Sequence, residues 1–256
     1  MFINNFDPVA FQILSFEIRW YSLAYITGIL IGWILAKKIF IKNLEINKKF
    51  DDYITYLIIG IIIGGRLGYI IIYNFNYYIH NLVDVFKIWE GGMSFHGGLI
   101  GIIFVSIIFG KKNKQNPFLY MDIVALVAPI GIFFGRIANF INSELYGTVT
   151  NVSWAVTFTQ VDNIPRHPSQ LYEALLEGIF LFLILIYFRN KFLNKPGVIS
   201  GLFLIFYSTF RFFVEFYRVP DEQLGYMFLN FTMGQVVSLI FILSGVLLFY
   251  FKNENR

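Results

Sequence analysis

The chain has 256 residues, of which 57% are hydrophobic and 14% are charged, and its mean hydropathy is +0.65. Soluble domains carry about 25% charged residues, so the composition excludes an ordinary soluble protein and indicates a membrane protein. The lack of cysteine excludes disulfides, thiolate metal sites and a cysteine nucleophile, and the net charge of +4 comes without the basic, aromatic-interleaved stripe expected of nucleic-acid binding.

The N-terminal segment precedes the first long apolar stretch. It has no basic region followed by a small-residue cleavage site, so we predict no cleaved signal peptide. Residues 6–17 alternate apolar and polar side chains irregularly. We predict that they lie along the outer membrane interface with their apolar side toward the lipid.

Seven segments are long and apolar enough to span a bilayer as helices, which need about 20 such residues. We therefore predict an all-α integral membrane protein in which residues 1–256 form a single polytopic domain. The predicted spans lie near residues 18–36, 53–73, 93–110, 119–140, 171–189, 198–217 and 232–251.

The lysines predict the orientation of these spans. Eleven of the twelve lie in residues 37–49, 111–114 and 191–195 or at Lys252. Those places are the loops after the first, third and fifth spans and the C-terminal tail. Short loops rich in Lys and Arg stay in the cytoplasm. The N-terminus is thus predicted outside and the C-terminus inside, in a multi-pass protein.

Two features between the spans predict packing and a small external cap. Gly60, Gly64, Gly65 and Gly68 recur at helical intervals in the second span and indicate close helix packing. Residues 141–169, between the fourth and fifth spans, form the longest external segment. Within it residues 152–158 alternate like a strand, with residues 148–151 as a candidate hairpin partner.

Four charged or titratable residues fall inside apolar segments, where each charge costs about 2.5–3.5 kcal/mol or more. They are His96, Arg136, Arg211 and Arg218. On the predicted topology all four lie at the outer side, together with Tyr21, Arg66, Asn139 and the start of the fifth span at residues 168–173. Polar groups from six spans at one depth indicate a site facing the outer leaflet.

Arginine and lysine are distributed differently across the predicted membrane. Six of the eight arginines fall in the outer half, against one of the twelve lysines. A guanidinium offers a planar fork that matches phosphate and stays charged when partly desolvated. This distribution therefore predicts an anionic ligand, and phospholipid head groups are the abundant anions at that depth.

The sixth span carries a polar stripe. Tyr207, Arg211, Glu215 and Arg218 are spaced so that they share one helix face, with Glu215 between two arginines. Two interpretations remain open from spacing alone. The stripe is a structural ion network at a helix end, or it orients the arginines toward a ligand.

The histidines and acidic residues predict no metal site. Histidine is the residue type best suited to act as an acid or base near neutral pH, and His96 is followed by Gly97, Gly98 and Gly101. Its alternative role is a hydrogen bond to a backbone carbonyl. His80, His167 and Asp122 are predicted to have no catalytic part. One histidine with Glu144 and Glu215 near arginines is a poor metal-ligand set.

Residues 135–147, GRIANFINSELYG, resemble the signature of bacterial prolipoprotein diacylglyceryl transferases, although Ala138 and Ser143 replace residues that are usually glycine there. Further segments resemble that family in the same order along the chain. They are residues 19–21 (RWY), 65–69 (GRLGY), 92–98 (GMSFHGG), 167–173 (HPSQLYE) and 207–221.

The resemblance implies a bacterial inner-membrane enzyme of lipoprotein biosynthesis. Such an enzyme moves the diacylglyceryl group of phosphatidylglycerol to the lipobox cysteine thiol of a prolipoprotein signal peptide, and releases glycerol phosphate. It implies no cofactor. Carried over by motif, the residues on which the family depends are Tyr21, His96, Arg136, Asn139, Glu144, Gly147, Tyr207 and Arg211.

The residue types suggest roles in this reaction. We expect His96, Arg211, Tyr207 and Tyr21 to be catalytic, with His96 either taking the thiol proton or orienting the lipid head group. We expect phosphatidylglycerol to be bound by Arg136, Asn139, Glu144, Gly147, Arg218 and Glu215. The competing functions are a transporter or flippase, whose charges would spread across the membrane, and another phospholipid-using enzyme with a similar arginine clamp.

Overall fold

The computed structural model of the chain describes residues 2–192, 194–220 and 231–254. Within this part, seven helices are long and apolar enough to cross a membrane, and each overlaps one predicted span. The predicted all-α membrane class and the seven spans are therefore confirmed. The last residue of the resembling segment 207–221, Asp221, lies outside the described residues.

The helices follow one another along the chain. They are α1 (Trp20–Leu35), α2 (Leu44–Tyr73), α3 (Phe75–His80), α4 (Phe95–Lys112), α5 (Pro117–Ile141), α6 (Ser169–Glu173), α7 (Leu181–Phe192), α8 (Val198–Val214) and α9 (Met233–Glu254). π-Helical turns continue α1 (Ala36–Phe40) and join α6 to α7 (Ala174–Phe180), and 3₁₀ turns cover Leu82–Phe86, Ile88–Glu90 and Glu215–Tyr217.

Helix α2 begins nine residues before its predicted span. Asn43 caps it, since its side-chain oxygen accepts hydrogen bonds from the backbone N–H groups of Glu45 at 2.9 Å and Ile46 at 3.3 Å. Such a cap satisfies N–H groups that a helix end leaves unpaired. The first two turns of α2 are polar, so hydropathy detects the apolar span but not the start of the helix.

The chain forms two compact units, residues 37–123 and residues 1–36 with 124–256. In the first of these, α2 and α4 pack through facing glycines. A Cβ atom on Gly68 would lie 2.7 Å from the Gly97 Cα atom, and one on Gly64 would lie 3.0 Å from the Gly101 Cα atom. The predicted role of the α2 glycines in close helix packing is thus confirmed.

The other unit contains a small sheet. Its strands are β1 (Phe2–Asn4), β4 (Val156–Phe158) and β5 (Pro165–Arg166), with β4 in the middle, parallel to β1 and antiparallel to β5. Phe140, Val156 and Phe158 form a buried core beneath it. The strand predicted over 152–158 is thus present only at its C-terminal end.

The predicted hairpin partner of this strand, residues 148–151, is wrong. Residue Val149 forms one isolated bridge with Arg166, and β4 pairs instead with the N-terminal β1 and with β5. Local alternation detects a strand but cannot indicate a partner about 150 residues away. The Asn4 side chain anchors β1, since it is fully buried and donates to the Phe140 carbonyl at 2.6 Å.

Residues 6–17 contribute a second strand pair. Strands β2 (Val9–Ile13) and β3 (Phe16–Arg19) form an antiparallel hairpin that leads directly into α1. Ile13, Leu14 and Phe16 at its turn are more than half exposed. The strands were not foreseen from the sequence, and their placement along the outer interface stays a prediction.

Candidate active site

The fifth apolar helix carries two buried carboxylates. Glu173 ends α6 and Glu177 lies in the π-helical segment Ala174–Phe180, and neither side chain has any exposed surface. π-Helical turns are rare and occur frequently at functional sites, because their i→i+5 hydrogen bonds widen the helix. A buried carboxylate is costly unless it is paired, so the partners of these two define the site.

A glycine lets this segment approach α5. A Cβ atom on Gly178 would lie 2.8 Å from the Phe133 Cβ atom and 3.1 Å from its Cα atom. No ordinary side chain fits in that space without moving one of the helices. The close approach brings the next turn of α5, which carries Arg136, within reach of both carboxylates.

Arg136 pairs with both buried carboxylates. Its Nε atom lies 2.9 Å from Glu173 Oε2, and its Nη2 atom donates a hydrogen bond of 3.4 Å to Glu177 Oε2. About 17% of the arginine side chain is exposed. Arg136 therefore lies at the accessible side of the carboxylates rather than beneath them.

Arg211 on α8 bridges the same pair to a third carboxylate. Its Nη1 atom donates to Glu173 Oε1 and lies 3.9 Å from Glu177 Oε1, while its Nη2 atom lies 2.8 Å from Glu215 Oε2. Its side chain is 13% exposed. Arg211 thus holds the fifth and sixth apolar helices together with one guanidinium.

Arg218 lies beyond the end of α8, in extended backbone after the 3₁₀ turn. Its Nη1 atom lies 3.9 Å from Glu215 Oε2 and 4.0 Å from Glu173 Oε1. Glu215 therefore lies between two arginines, as the spacing predicts. It also accepts a hydrogen bond of 3.0 Å from the Thr232 hydroxyl.

These six side chains form what we call the arginine–carboxylate cluster: Arg136, Arg211, Arg218, Glu173, Glu177 and Glu215. Three guanidiniums face three carboxylates, so the cluster is neutral when every group is ionised. Tyr207, one turn before Arg211 on α8, lies within electrostatic range of Arg136, Arg211 and both buried glutamates. Its ring stacks on Phe203 with centroids 5.5 Å apart.

A second polar network lies in the same unit. The Asn139 side-chain amide donates to Glu144 Oε2 at 2.9 Å and to the Tyr21 hydroxyl at 3.5 Å. Asn139 is only 3% exposed, so its side chain is committed to these partners. Tyr21, Asn139 and Glu144, which the sequence placed in the site, are thus brought together in one network.

The loop that carries Glu144 is conformationally strained. Ser143 and Leu145, on either side of it, have φ values of 56° and 54°, in the left-handed region that ordinary side chains rarely adopt. Hydrogen bonds hold this shape: the Gln170 amide donates to the Glu144 carbonyl at 2.6 Å, and the Ser169 hydroxyl donates to the Leu145 carbonyl at 2.9 Å.

Gly147 lies where three chain segments meet. Its N–H donates to the His167 carbonyl at 2.9 Å, and it bridges to Arg218 in antiparallel fashion. A Cβ atom on Gly147 would lie 2.6 Å from both the His167 Cβ atom and the Tyr217 carbonyl oxygen. This position gives Gly147 a packing role, and its predicted contact with phosphatidylglycerol stays a prediction.

His96 belongs to the other unit. It lies in the first turn of α4, which Ser94 caps by accepting a hydrogen bond of 3.3 Å from the Gly97 N–H. Its ring is half-buried and meets the Phe95 ring edge-on at 5.7 Å. Among the described residues, no backbone carbonyl accepts a hydrogen bond from this ring, which was the alternative role.

Three of the outer arginines have local structural roles, so they do not support an anion site. Arg66 is 4% exposed and donates to the carbonyls of Val85, Asp84, Gly91 and Gly92. Arg19 is mostly exposed and pairs with Glu17. The count of six outer arginines therefore overstated the signal.

Arg166 is the third, and its partner lies in the cap. Its Nη2 atom donates to Asp162 Oδ2 at 2.5 Å, and its guanidinium lies 4.9 Å from the centre of the Tyr146 ring. The hydrogen bonds from Arg166 lower the pKa of Asp162. Burial lowers the pKa of the neighbouring His167, whose Nδ1 atom lies 3.0 Å from the Tyr172 hydroxyl.

Sequence reasoning missed Glu173 and Glu177. The sequence includes Glu173 only as the last residue of segment 167–173, which resembles the family, and no motif includes Glu177. A signal for both was present, because a carboxylate inside an apolar span is a candidate functional residue by default. Within the described residues, no group of three or more His, Cys, Asp or Glu side chains is arranged to hold a metal ion.

The chemical capacity of the site follows from this geometry. Two guanidiniums stand on the accessible side of buried carboxylates that fix their positions. Pre-positioned guanidiniums bind phosphate oxygens and stabilise charge that develops on them. The arrangement therefore suits an anionic phosphate ester better than a neutral ligand.

The chain is also similar to known proteins. The family model for prolipoprotein diacylglyceryl transferase matches residues 8–251. A protein from Rickettsia bellii named phosphatidylglycerol–prolipoprotein diacylglyceryl transferase is 51% identical, over 100% of this chain and 98% of its own length. Proteins of the same name from Rickettsia typhi and Rickettsia felis are 52% and 50% identical, each over 96% of both chains.

Proposed function

The chain belongs to the prolipoprotein diacylglyceryl transferase family, and we propose that it transfers the diacylglyceryl group of phosphatidylglycerol to a prolipoprotein with the arginine–carboxylate cluster as its phosphate-binding centre. The enzyme is a multi-pass membrane transferase of bacterial lipoprotein biosynthesis. The observation that carries the proposal is the pair of partly exposed guanidiniums, Arg136 and Arg211, held by two fully buried carboxylates.

The phosphodiester of the lipid binds to Arg136 and Arg211, which we call the phosphate clamp. Both side chains are anchored by Glu173, so little reorganisation is needed when the anion arrives. As the bond between the glyceryl carbon and the phosphate oxygen breaks, negative charge grows on the departing glycerol phosphate. Guanidiniums already in place stabilise that charge, which lowers the barrier.

The acceptor is the thiol of a lipobox cysteine in the signal peptide. A thiol with a pKa of about 8.5 is mostly protonated at neutral pH, so a base must take its proton before sulfur attacks carbon. His96 is the proposed base, on the strength of its residue type and of the motif in which it stands. A carbon–sulfur bond forms as the carbon–oxygen bond breaks, which leaves a thioether.

The second network positions the rest of the lipid. Tyr21 and Asn139 hydrogen-bond to the glycerol or ester oxygens, and Glu144 orients Asn139. Tyr207 lies near both clamp arginines, and its hydroxyl donates a hydrogen bond to the phosphate. Glu215 and Arg218 support Arg211, and Gly147 keeps the cap loop against the ends of α6 and α8.

The lysines of the loops predict on which side of the membrane the reaction takes place. The lysine-rich loops favour an N-terminus outside and a C-terminus in the cytoplasm, which places the clamp at the outer leaflet of the bacterial inner membrane. Residues 141–169 then form a cap on the external side, where a signal peptide presents its cysteine.

One assay tests the proposal. The purified protein is incubated with phosphatidylglycerol and a lipobox peptide, and the peptide mass is expected to rise by one diacylglyceryl group. A peptide with Cys→Ser is expected to stay unmodified. Release of glycerol phosphate without peptide modification would indicate a lipid phosphatase-like enzyme instead, and an unchanged lipid would contradict the transfer.

Variants assign the roles. Arg211→Ala and His96→Ala are expected to abolish transfer, whereas Asp122→Asn, far along α5 from Arg136, is expected to retain it. Full activity of Arg211→Ala would contradict the proposal that the cluster binds the phosphate. Full activity of His96→Ala would contradict only the role of His96 as the base.

A further inference from the structure

The cluster contains three arginines and three glutamates, so it has no net charge when every group is ionised. Four of these six side chains are at most 7% exposed. A phosphodiester anion that enters brings one negative charge without a matching cation. In a poorly solvated site such an excess charge raises the free energy of binding. Little water is present to solvate it, and the glutamates repel it more strongly than they would in water.

The three carboxylates are paired to different degrees. Glu173 contacts Arg136 at 2.9 Å, and its other oxygen accepts a short hydrogen bond from Arg211. Glu215 lies 2.8 Å from Arg211 and accepts a hydrogen bond from Thr232. Among the described residues, Glu177 has longer contacts, 3.4 Å to Arg136 and 3.9 Å to Arg211. It is therefore the most weakly paired of the three carboxylates.

The surroundings of Glu177 favour a neutral side chain once an anion is present. The charged or titratable groups that face it are Arg136 on α5, Arg211 and Tyr207 on α8, and Glu173 one turn earlier on its own helix. Among the described residues, each of the three glutamates has one buried oxygen without a hydrogen bond. That oxygen lies within 3 Å of a guanidinium in Glu173 and Glu215, whereas in Glu177 the nearest guanidinium nitrogen is 3.9 Å away. A phosphate bound to Arg136 and Arg211 would pair with the two guanidiniums that otherwise offset a negative charge on Glu177.

We propose that Glu177 is the charge-balancing residue of the lipid site: phosphatidylglycerol binding is coupled to the uptake of one proton from solvent by the Glu177 carboxylate. The carboxylate becomes a carboxylic acid, its donor O–H turns toward the phosphate or Glu173, and the cluster stays neutral with the anion bound. When glycerol phosphate leaves, the proton returns to solvent. The inference rests on the proposed phosphate clamp and goes beyond it.

The coupling has a sign that can be measured. Since binding takes up a proton, the affinity for phosphatidylglycerol falls as pH rises wherever Glu177 is ionised in the free protein. For one proton the limit is about tenfold in the KM for phosphatidylglycerol per pH unit. The effect belongs to KM, whereas titration of the base that activates the thiol belongs mainly to kcat.

Glu177→Gln is the central variant, because its amide has the shape of the protonated acid and cannot titrate. We expect it to bind phosphatidylglycerol with a KM that no longer rises with pH and that matches the native value at acidic pH. Glu17→Gln, which neutralises an exposed carboxylate outside the cluster, is the matched control and is expected to keep the pH slope. Glu177→Asp is expected to keep it as well.

A second measurement avoids reliance on turnover. Calorimetric titration of the detergent-solubilised protein with phosphatidylglycerol, in buffers of different ionisation enthalpy, is expected to show proton uptake approaching one per lipid bound. Glu177→Gln is expected to show none, and diacylglycerol, which lacks the phosphate, is expected to show none with the native protein. This measurement also decides the matter if Glu177→Gln binds but does not turn over.

The outcomes separate the two proposals. If Arg211→Ala loses lipid binding while native and Glu177→Gln proteins share the same pH slope and proton uptake, the inference fails and the clamp stands. If native protein binds lipid with no proton uptake, the inference is overturned. If Arg211→Ala binds phosphatidylglycerol as tightly as the native protein, the clamp itself is wrong.

Discussion

At the scale of single residues, an arginine inside a membrane protein is informative only once its partners are known. Arg66, Arg136 and Arg211 all lie in apolar helices, and hydropathy treats them alike. Arg66 binds backbone carbonyls and closes a loop, whereas Arg136 and Arg211 bind buried carboxylates and remain partly exposed. The second arrangement leaves guanidinium surface for an anion, and the first does not.

The planar fork of the Arg136 guanidinium predicts that lysine at this position lowers the transfer activity. Arg136→Lys keeps the charge but replaces the planar fork of five N–H donors with one compact ammonium, which cannot reproduce the separate Nε and Nη2 contacts with Glu173 and Glu177. We expect kcat/KM in the transfer assay to fall by about 10²–10³-fold. Arg19→Lys, at a mostly exposed position, is the control and should change it little. Equal activities of the two variants would contradict the clamp.

The hydrogen bond between Asn139 and Glu144 predicts a strong effect of an isosteric acid. In Asn139→Asp the donor is lost, and two carboxylates would lie about as close as the present 2.9 Å contact. We expect turnover to fall by about 10- to 10²-fold, since a hydrogen bond to a charged group typically contributes about 1.5–3 kcal/mol. The double variant Asn139→Asp with Glu144→Gln restores a donor and acceptor, and partial recovery of kcat/KM is the expected result.

At the scale of secondary-structure elements, the close approach of the π-helical segment to α5 makes the site. Gly178→Ala would place a methyl group 2.8 Å from the Phe133 Cβ atom and push the two helices apart. We expect lower transfer activity and a lower melting temperature, with overpacking costing about 1–3 kcal/mol.

Gly131 provides the matched control for that change. It also lies in an apolar helix, but a Cβ atom there would meet nothing within 4 Å. Gly131→Ala is therefore expected to leave activity unchanged and to raise stability slightly, by less than about 1 kcal/mol. If both variants behave alike, the helix contact at Gly178 is not limiting.

The cap also carries a pH-dependent element. Hydrogen bonds from Arg166 lower the pKa of Asp162 from its ordinary 3.8, so the charged form stabilises the fold. That contribution is present above pH 3.8 and is lost as pH falls through the lowered value. Asp162→Asn removes it at neutral pH. We expect faster proteolysis within residues 141–169 of Asp162→Asn, and the difference from the native protein should narrow toward acidic pH.

At the scale of the whole molecule, the distribution of lysine predicts an orientation in the membrane. Because the chain contains no cysteine, a single introduced cysteine reports one position. Asn163→Cys, in the cap, is expected to react with an impermeant maleimide in intact cells. Lys111→Cys, in a lysine-rich loop, is expected to react only after lysis. The reverse pattern would invert the proposed orientation and move the clamp to the cytoplasmic side.

Composition and local pattern suffice for the outline of this protein. Seven apolar stretches determine seven helices, because a backbone inside lipid must satisfy its own hydrogen bonds. The motifs around Arg136 and His96 were sufficient to indicate the family, and the spacing of Arg211, Glu215 and Arg218 was sufficient to place them together. Each of these features depends on residues that are close in sequence or on bulk composition.

Only the tertiary structure decided which charges meet. The pairing of Arg136 with Glu173 and Glu177 joins two different apolar helices, and the pairing of β1 with β4 joins segments about 150 residues apart. Neither has a local signature, since both depend on how closely two helices approach and which edges of strands remain to be paired. The sequence shows that a charge lies in an apolar segment, where its burial costs free energy. Only the packed fold shows which oppositely charged residue offsets that cost.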